Sequence, residues 1–453
     1  MRNFILLFSA LVLAASCDSL KPEELEPFTL SMVVDGNLVF EGRPQLTIHV
    51  ENPNRKAVMA DAKAVISTDK GESVTTVSTS VKVAGNASED IVLTTDEDLA
   101  PGFYKARCSV NEKAVGLALK GGGGTPFFFG ISPAKLVSAP DKQADFDSFW
   151  EAAKAELASI DMKAELTEIP SRSNANCKVY LVEMQSIPDL DGGEPVTIRG
   201  YYVEPQDGKK YPVLMHYYGY DDLKPVHKVD CPYGGSSPQY AELYLSTRGQ
   251  VLNNRPANLR VSDGKGDFVN IYGDWFAYNF GQRDHYYYRG AFMDCVQGIR
   301  FMATRSSSDM SNVFAEGSSQ GGAFSYAAAA LSDYPLKAIA PCVAFLGDFP
   351  DYFSIVSWPA STARKSQGTM SDEEMFRFLS YFDTKNLATR ITCSVIACSG
   401  LQDGTCPPHT NTAPFNNLQV TDKEMYYYPF LRHEIPSDWP GKYSAFFKAR
   451  TQQ

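Results

Sequence analysis

The stretch NVFAEGSSQGGAFSYAAAAL, residues 312–331, decides the fold of this chain. Its pattern G-x-S-x-G fits in one register only, which is centred on Ser319. Residues 312–315, with their apolar run Val313-Phe314-Ala315, predict a buried strand, and the alanine-rich residues 321–331 predict a helix. The flanking glycines allow two backbone segments to pass close together. We therefore predict a tight turn over residues 317–320 that exposes Ser319 between a strand and a helix.

Strands and helices alternate on both sides of this stretch. Amphipathic spacing predicts a helix over residues 145–160, and a second helix is predicted over residues 290–304. Residues 196–203 and 211–217 have the apolar character of buried strands. Such alternation indicates a mostly parallel sheet with helices on both faces. We predict an α/β doubly wound domain over residues 134–453.

The preceding residues 27–133 have a different pattern. Apolar and polar residues alternate over 46–50 and 104–110, as in half-buried strands, and turn signals separate the short strands. About a hundred residues of this kind predict an immunoglobulin-like β-sandwich. We interpret it as a spacer or support module, with glycan binding as the alternative. The glycine run 121–124 is expected to be a hairpin loop within the sandwich or part of the linker.

The amino terminus has the composition of a processing signal. Arg2 precedes an apolar run over residues 4–13, which is too short for a permanent membrane span. Small residues then lead to Cys17, an arrangement that resembles the lipobox of bacterial lipoproteins. This predicts a signal peptide over residues 1–16 and a lipidated tether over 17–26, whereas the alternative is an ordinary secretory peptide. Both interpretations place the protein outside the cytoplasm, and the first anchors it to a membrane.

Length, charge and cysteine spacing favour a two-domain protein and argue against a nucleic-acid partner and a zinc site. The chain has 453 residues, which favours two domains, and its net charge of -11 argues against a nucleic-acid partner. Eight cysteines follow Cys17 at irregular spacing, without a C-x-x-C pair or a Cys/His cluster. A zinc site is therefore not expected, and we predict neither a metal nor an organic cofactor. Most of these cysteines are interpreted as small buried apolar residues.

A serine nucleophile requires a base and an acid that orients the base. In a fold of this type the acid and then the histidine follow the serine along the chain. Asp403 follows an apolar strand candidate, and His433 follows the next one, MYYYPFL. His409 lies only six residues after Asp403, too few for the usual passage between acid and base. We therefore predict Ser319, His433 and Asp403 as nucleophile, base and acid.

Hydrolysis through a serine also requires two backbone N–H groups that bind the developing oxyanion. The residue after the nucleophile, Gln320, supplies one of them. The strand YPVLMHYYGY leads into Tyr220, whose backbone amide is predicted as the second. The Tyr220 side chain is interpreted equally well as packing.

Several motifs together resemble the acetyl xylan esterase and cephalosporin C deacetylase family of serine esterases. In order along the chain they are PVLMHYYGY, TRGQ, YYYRGAFMDCVQGI, GSSQGG, FLGDFP, GLQDGTCPP and YPFLRHE. The resemblance runs from about residue 144 to the end of the chain. The resemblance implies an α/β-hydrolase fold. It also implies the same five roles, for Ser319, Asp403, His433, Tyr220 and Gln320.

The chain departs from the family pattern at three positions. The family usually has histidine at Tyr218, glycine at Ser318 and arginine at Gly290. Tyr218 is expected to change the polarity of the acyl pocket. Many family members form hexameric rings, which an added amino-terminal domain could obstruct. Homo-oligomeric assembly is a further expectation from the resemblance, whereas the added domain argues against carrying over the hexameric ring.

These features predict a serine esterase that removes O-acetyl groups from acetylated plant-type saccharides such as xylan. Two alternatives stay open from the sequence alone. One is a peptidase of the same fold, since a Ser-His-Asp set does not by itself separate esters from amides. The other is a non-catalytic surface lipoprotein that binds glycans through its sandwich.

Overall fold

The structure of the protein is a computed structural model. It describes residues 25–220, 229–250, 252 and 272–451. The predicted signal peptide over residues 1–16 and the predicted lipidation site Cys17 lie outside these described residues, as does most of the predicted tether. None of the helices in the described ranges is long and apolar enough to cross a membrane.

The amino-terminal unit, called the β-domain below, consists of nine strands. They are β1 (Thr29–Val33), β2 (Val39–Phe40), β3 (Leu46–Glu51), β4 (Val58–Thr68), β5 (Ser73–Val83), β6 (Ser88–Leu93), β7 (Gly102–Val110), β8 (Lys113–Val115) and β9 (Phe127–Ile131). One sheet has the order β1-β3-β6 and the other β2-β9-β7-β4-β5, with β8 paired to β7. The glycine run 121–124 therefore lies between two strands of the β-domain and is not a linker.

The two sheets of the β-domain share one apolar core. Ile48 and Val50 of β3 and Ala62 and Ala64 of β4 are buried in it. Alternate residues of a strand point to opposite faces, so the period-two pattern of the sequence buries one face of each sheet. A two-sheet β-structure is thus present, and its immunoglobulin-like assignment stays a prediction.

The second unit is built on a nine-stranded sheet. Its strands are β10 (Glu165–Glu168), β11 (Cys177–Ser186), β12 (Val196–Pro205), β13 (Tyr211–Tyr217), β14 (Ala241–Ser246), β15 (Ser308–Ser318), β16 (Ala338–Cys342), β17 (Ser394–Gly400) and β18 (Lys423–Tyr428). Their order is β10-β11-β12-β14-β13-β15-β16-β17-β18. From β14 to the β18 end of this order, each strand is parallel to the next. The pairs β10-β11, β11-β12 and β12-β14 are antiparallel. The prediction of a mostly parallel sheet is confirmed.

Helices cover both faces of this sheet. They are α1 (Phe146–Ser159), α2 (Tyr287–Ala303), α3 (Gln320–Leu331), α4 (Phe349–Ile355), α5 (Ala360–Ser366), α6 (Asp372–Leu379), α7 (Thr384–Leu387), α8 (Pro408–Asn417) and α9 (Trp439–Arg450). Val313 and Ala315 of β15 pack in a core with α1, α2 and α3. Phe314, between them, packs against Trp439 and Phe447 of α9 on the opposite face. The uninterrupted apolar character of β15 follows from burial on both sides.

The parallel strands end at one edge of the sheet. Tyr217, Ser318, Gly400 and Tyr428 are the last residues of β13, β15, β17 and β18. Segments that leave these ends lie close together, and ligands of open α/β sheets bind at this edge. All five residues predicted for the esterase site lie on these segments or directly after them.

Candidate active site

Ser319 is the single residue between β15 and α3. The strand extends through Ser318 and the helix begins at Gln320, so the turn is shorter than the four residues predicted. Ser319 has φ 56° and ψ -121°, a strained conformation for a residue with a side chain. Its carbonyl accepts hydrogen bonds from the N–H groups of Ala323 and Phe345, which hold this conformation. The turn is therefore a sharp strand-to-helix elbow that presents the serine at the sheet edge.

Two glycines allow the elbow to close. A Cβ atom on Gly321 would lie 2.3 Å from the carbonyl oxygen of Tyr217 on the neighbouring strand. A Cβ atom on Gly317 would lie 2.4 Å from the carbonyl oxygen of Gly321. Both distances are shorter than any tolerable contact, so only glycine fits. The G-x-S-x-G spacing thus has a steric cause in this structure.

The Ser319, His433 and Asp403 side chains form a continuous hydrogen-bonded chain. His433 Nδ1 lies 2.7 Å from Asp403 Oδ2, and His433 Nε2 lies 2.9 Å from Ser319 Oγ. A carboxylate can only accept, so Nδ1–H donates to Asp403 and Nε2 is free to accept the serine hydrogen. The structure therefore brings together the three residues chosen from chain order. This arrangement can deprotonate the serine.

The Asp403 carboxylate is fixed by its own loop. It is fully buried, and Oδ1 accepts hydrogen bonds from the N–H groups of Thr405 at 2.7 Å and Cys406 at 2.9 Å. Its second oxygen is left to face His433. These backbone bonds hold the carboxylate in one orientation. They also explain the spacing between Asp403 and Cys406 in the GLQDGTCPP motif.

The surroundings of His433 stabilise the imidazolium that forms when this residue accepts the serine proton. Burial of the imidazole opposes protonation, but Cys406 and Asp403 together raise the pKa of His433 above its usual 6.5. Burial also raises the pKa of the Cys406 thiol, which is therefore neutral near pH 7. We attribute the raised pKa of His433 to the Asp403 carboxylate, which stabilises the imidazolium.

The two predicted oxyanion donors lie beside the serine. Gln320 is the first residue of α3, where backbone N–H groups have no partner within the helix. The Tyr288 hydroxyl donates to Gln320 Oε1 at 2.9 Å and orders that side chain. A Cβ atom on Gly219 would lie 3.6 Å from the Cβ of Ser319, so the segment that carries Tyr220 packs against the nucleophile.

The TRGQ motif shapes that segment. Gln250 Nε2 donates to the carbonyls of Tyr218 at 3.0 Å and Gly219 at 3.3 Å. Arg248 of the same motif is buried and forms an ion pair with Asp294 of α2 at 2.7 Å. The motif therefore connects the oxyanion segment to the helix layer.

The Tyr220 side chain both packs and forms hydrogen bonds. Its hydroxyl donates to Asp274 Oδ1 at 2.6 Å and accepts from the Phe276 N–H at 3.1 Å. Its ring packs edge-on against Trp275 and Trp358. Sequence reasoning did not find Asp274, because 54 residues separate it from Tyr220 and no motif connects them.

One of the three departures from the family pattern, Gly290, has a steric explanation in the structure. A Cβ atom on Gly290 would lie 2.2 Å from Arg248 Nη1, so an arginine cannot occupy position 290 with Arg248 in this position. Ser318 ends β15 and is partly buried beside the nucleophile. Tyr218 also lies beside the elbow, and burial raises the pKa of its hydroxyl, so the hydroxyl is neutral near pH 7.

One further cluster contains groups of the kind that ligate metals. Asp348, Asp351 and His409 place one ligand atom each within 4.8 Å of one another. Lys385 Nζ lies 2.9 Å from Asp348 Oδ1, and Lys70 Nζ lies 2.6 Å from Asp351 Oδ1. These two ammonium groups already neutralise the carboxylates and would repel a metal cation. We interpret the cluster as an ion-pair network, and the expectation of no metal and no cofactor stays a prediction.

His409, excluded from the triad by its spacing, lies in this network. It is the second residue of α8, and its Nδ1 lies 2.8 Å from Asp69 Oδ2 of the β-domain. It is therefore placed away from Ser319 and bound to another unit of the protein.

The nine-stranded sheet and the serine elbow define an α/β-hydrolase. The acetyl xylan esterase (AXE1) family model matches residues 135–450. The chain belongs to that family and is a carboxylic ester hydrolase. The resemblance drawn from the motifs is thereby confirmed.

Individual relatives agree with this family. The chain is 26% identical over 343 residues to acetyl esterase Axe7A of Xylanibacter ruminicola, covering 75% of this chain and 72% of the relative. An acetyl xylan esterase from Paenibacillus sp. R4 is similar in structure, with a TM-score of 0.57 and 26% identity, covering 70% of this chain and 98% of that one. Acetyl xylan esterase 1 from Thermoanaerobacterium sp. JW/SL YS485 has the same TM-score at 23% identity, covering 71% and 98%. At that identity the last likeness shows the fold alone.

Proposed function

We propose that this enzyme removes O-acetyl groups from acetylated plant-type poly- or oligosaccharides, such as xylan, through an acyl-enzyme on Ser319. The observation that supports it most is the hydrogen-bonded chain from Asp403 through His433 to Ser319 at the elbow. The family and the names of its relatives favour acetyl esters as the substrate class.

The reaction proceeds in two steps. Ser319 Oγ attacks the acetyl carbonyl carbon while its proton passes to His433 Nε2. The N–H groups of Gln320 and Tyr220 stabilise the tetrahedral oxyanion. The intermediate collapses, the bond from the acetyl carbon to the sugar oxygen breaks, and His433 gives its proton to that oxygen, which leaves as a hydroxyl. Water, deprotonated by His433, then attacks the acetyl-serine, the C–Oγ bond breaks to release acetate, and His433 returns the proton to Ser319 Oγ.

The adjacent serines provide a matched test of the nucleophile. We expect Ser319→Ala to lower kcat by at least about three orders of magnitude, because the acyl-enzyme cannot form. Ser318→Ala, one residue away on the strand, is expected to keep most of the activity. Acetate release from acetylated xylan measures both. Equal losses in the two variants would refute the assignment of Ser319.

Substrate comparison tests the second part of the proposal. Acetate release should be compared across acetylated xylan, xylo-oligosaccharides and pectin, in the presence and absence of a chelator. Activity that survives the chelator is expected from a mechanism without a metal. Cleavage of chromogenic peptides in place of acetate release would favour the peptidase alternative. Failure of Ser319 to react with a fluorophosphonate probe would favour a non-catalytic binding protein.

We further propose that Cys17 is lipidated after export and that the lipid holds the enzyme on a membrane. The lipobox-like sequence before Cys17 supports this proposal. Incorporation of labelled palmitate into the wild type but not into Cys17→Ser tests it.

A further inference from the structure

We infer that the β-domain is a positioning part of the active site, holding the residues next to the catalytic acid and base through Gln402 and Arg432. This inference rests on the proposed Ser-His-Asp mechanism. It assigns a role to the amino-terminal unit, which the sequence left as a spacer, a support or a glycan-binding module. The acid loop consists of residues 401–407, after β17, and the base loop consists of residues 429–434, after β18.

The first contact involves Gln402, directly before Asp403 in the acid loop. Its Oε1 accepts from the N–H of Phe128 at 2.8 Å, and its Nε2 donates to the Phe128 carbonyl at 3.0 Å. Nε2 also donates to the carbonyl of Pro429 in the base loop at 3.0 Å. Gln402 is only 7% exposed, so these bonds are shielded from water. One side chain therefore fixes both catalytic loops to strand β9 of the β-domain.

The second contact involves Arg432, directly before His433 in the base loop. Its guanidinium donates to the carbonyls of Lys120 at 3.3 Å and Gly123 at 3.4 Å, and also to that of Gly122. Residues 121–123 all have positive φ, a conformation that glycine adopts without strain. The glycine run is therefore shaped to present carbonyl groups to Arg432.

The two catalytic loops are also bound to each other. The N–H of Gln402 donates to the carbonyl of Leu431 at 2.9 Å. A Cβ atom on Gly400, the last residue of β17, would lie 2.1 Å from the carbonyl oxygen of Arg432, so the base loop packs directly against the strand that leads into the acid loop. Leu401 is fully buried in the apolar core of the β-domain. A displacement of either loop would therefore disturb the other loop and the β-domain contacts.

A contact that only joins the two units would affect stability without affecting catalysis. Asn416 of α8 is the matched example, since its Nδ2 donates to the carbonyls of Pro133 and Leu136 at 2.9 Å each. It binds the segment that leaves the β-domain and is not adjacent to Asp403 or His433. Gln402 and Arg432 differ from Asn416 by their position next to the catalytic residues.

The experiment compares Gln402→Met, Arg432→Met, Arg432→Lys and Asn416→Ala in the full chain. Active sites are counted by fluorophosphonate labelling, so that kcat is expressed per folded enzyme. We expect Gln402→Met and Arg432→Met to lower kcat about tenfold to a hundredfold, with KM changed less than about twofold, because small misplacements of catalytic groups are costly. Arg432→Lys can still donate to carbonyls and is expected to recover most of the loss. Asn416→Ala is expected to lower Tm with kcat unchanged.

The pH profile of kcat/KM is a further test, because a purely structural role of Gln402 and Arg432 would leave it unchanged. In both methionine variants we expect the hydrogen bond between His433 and Asp403 to loosen. This loosening lowers the pKa of His433, so the acid limb of the kcat/KM profile should move to lower pH. Wild-type kcat and pH profile in Arg432→Met would overturn the inference. A loss of kcat in Asn416→Ala equal to that in the methionine variants would also overturn it. Arg432 is partly exposed, so its variants carry the test if Gln402→Met does not fold.

Failure of this inference is distinguishable from failure of the proposed function. If Ser319→Ala retains the labelling and acetate release of the wild type, the proposed mechanism is wrong. If both depend on Ser319 and the methionine variants behave as the wild type, only the positioning role is wrong.

Discussion

At the residue scale, we expect the Tyr220 hydroxyl to contribute to catalysis by holding the backbone N–H of Tyr220 in place. The hydroxyl is held between Asp274 and the Phe276 N–H, and the ring lies among Trp275 and Trp358. These contacts fix the side chain of Tyr220, whose backbone amide is the proposed oxyanion donor. A preorganised donor stabilises the oxyanion without reorganisation during the reaction.

Tyr220→Phe is therefore expected to lower kcat about fivefold to tenfold, since the net contribution of one hydrogen bond is about 1 kcal/mol. Tyr211→Phe is the control, because it removes a comparable bond to Asp207 of 2.9 Å on the exposed surface. Steady-state kinetics on an acetyl ester measures both variants. A Tyr220→Phe enzyme with wild-type kcat would show that the hydroxyl does not position the donor.

At the element scale, the junction between β15 and α3 depends on the absence of side chains. Gly321 lies in α3, and a Cβ atom added there would meet the carbonyl of Tyr217 rather than open space. Gly441 in α9 is also helical, but a Cβ atom added there would have no neighbouring atom within 4 Å. Both glycines are therefore helical, but Gly321 is enclosed by backbone atoms whereas Gly441 has open space around it.

Gly321→Ala is expected to destabilise the protein by at least about 1–3 kcal/mol, because the added methyl group overlaps backbone atoms. Gly441→Ala is expected to be neutral or to stabilise by up to about 1 kcal/mol, through the higher helix propensity of alanine. Denaturant unfolding of the two variants measures the difference. A Gly321→Ala protein as stable as Gly441→Ala would contradict the steric origin of the motif.

The sequence was informative wherever a motif coincided with a strand end. Ser319, Asp403 and His433 each follow an apolar strand; the G-x-S-x-G register selected the first, and chain order and spacing selected the other two. Strands β11, β14 and β16 were not predicted, and Pro341 within β16 is a residue that argues against a central strand. Asp274 and Gln402 could not be assigned their roles, because those roles arise from contacts between residues 54 and 274 positions apart.

At the scale of the whole molecule, a charged network joins the β-domain to the second unit. His409 faces Asp69 at 2.8 Å, Asp351 at 3.0 Å and Asp348 at 3.5 Å. Lys70 and Lys385 complete the network. Burial lowers the pKa of His409, but the three carboxylates outweigh it and raise the pKa to about 11. His409 is therefore protonated in the folded protein near neutral pH.

A histidine whose pKa rises on folding stabilises the protein fully below its unfolded pKa of about 6.5. That contribution diminishes as the pH rises from there towards the folded value of about 11. We expect the Tm advantage of the wild type over His409→Gln to be largest near pH 6 and to narrow by about pH 10. The control is His285→Gln, which removes a histidine paired with the highly exposed Asp191. A Tm difference between the wild type and His409→Gln that stays constant or widens as the pH rises would refute this prediction.

The contacts between the β-domain and the catalytic loops also concern the time at which the enzyme becomes active. Gln402 and Phe128 are 274 residues apart, Arg432 and Gly122 are 310 apart, and His409 and Asp69 are 340 apart. Contacts between such distant parts of a chain require the closure of large loops and form slowly. Residues 25–132 leave the ribosome long before the acid and base loops that they hold. Catalytic competence is thus expected to be among the last properties that the folding chain acquires.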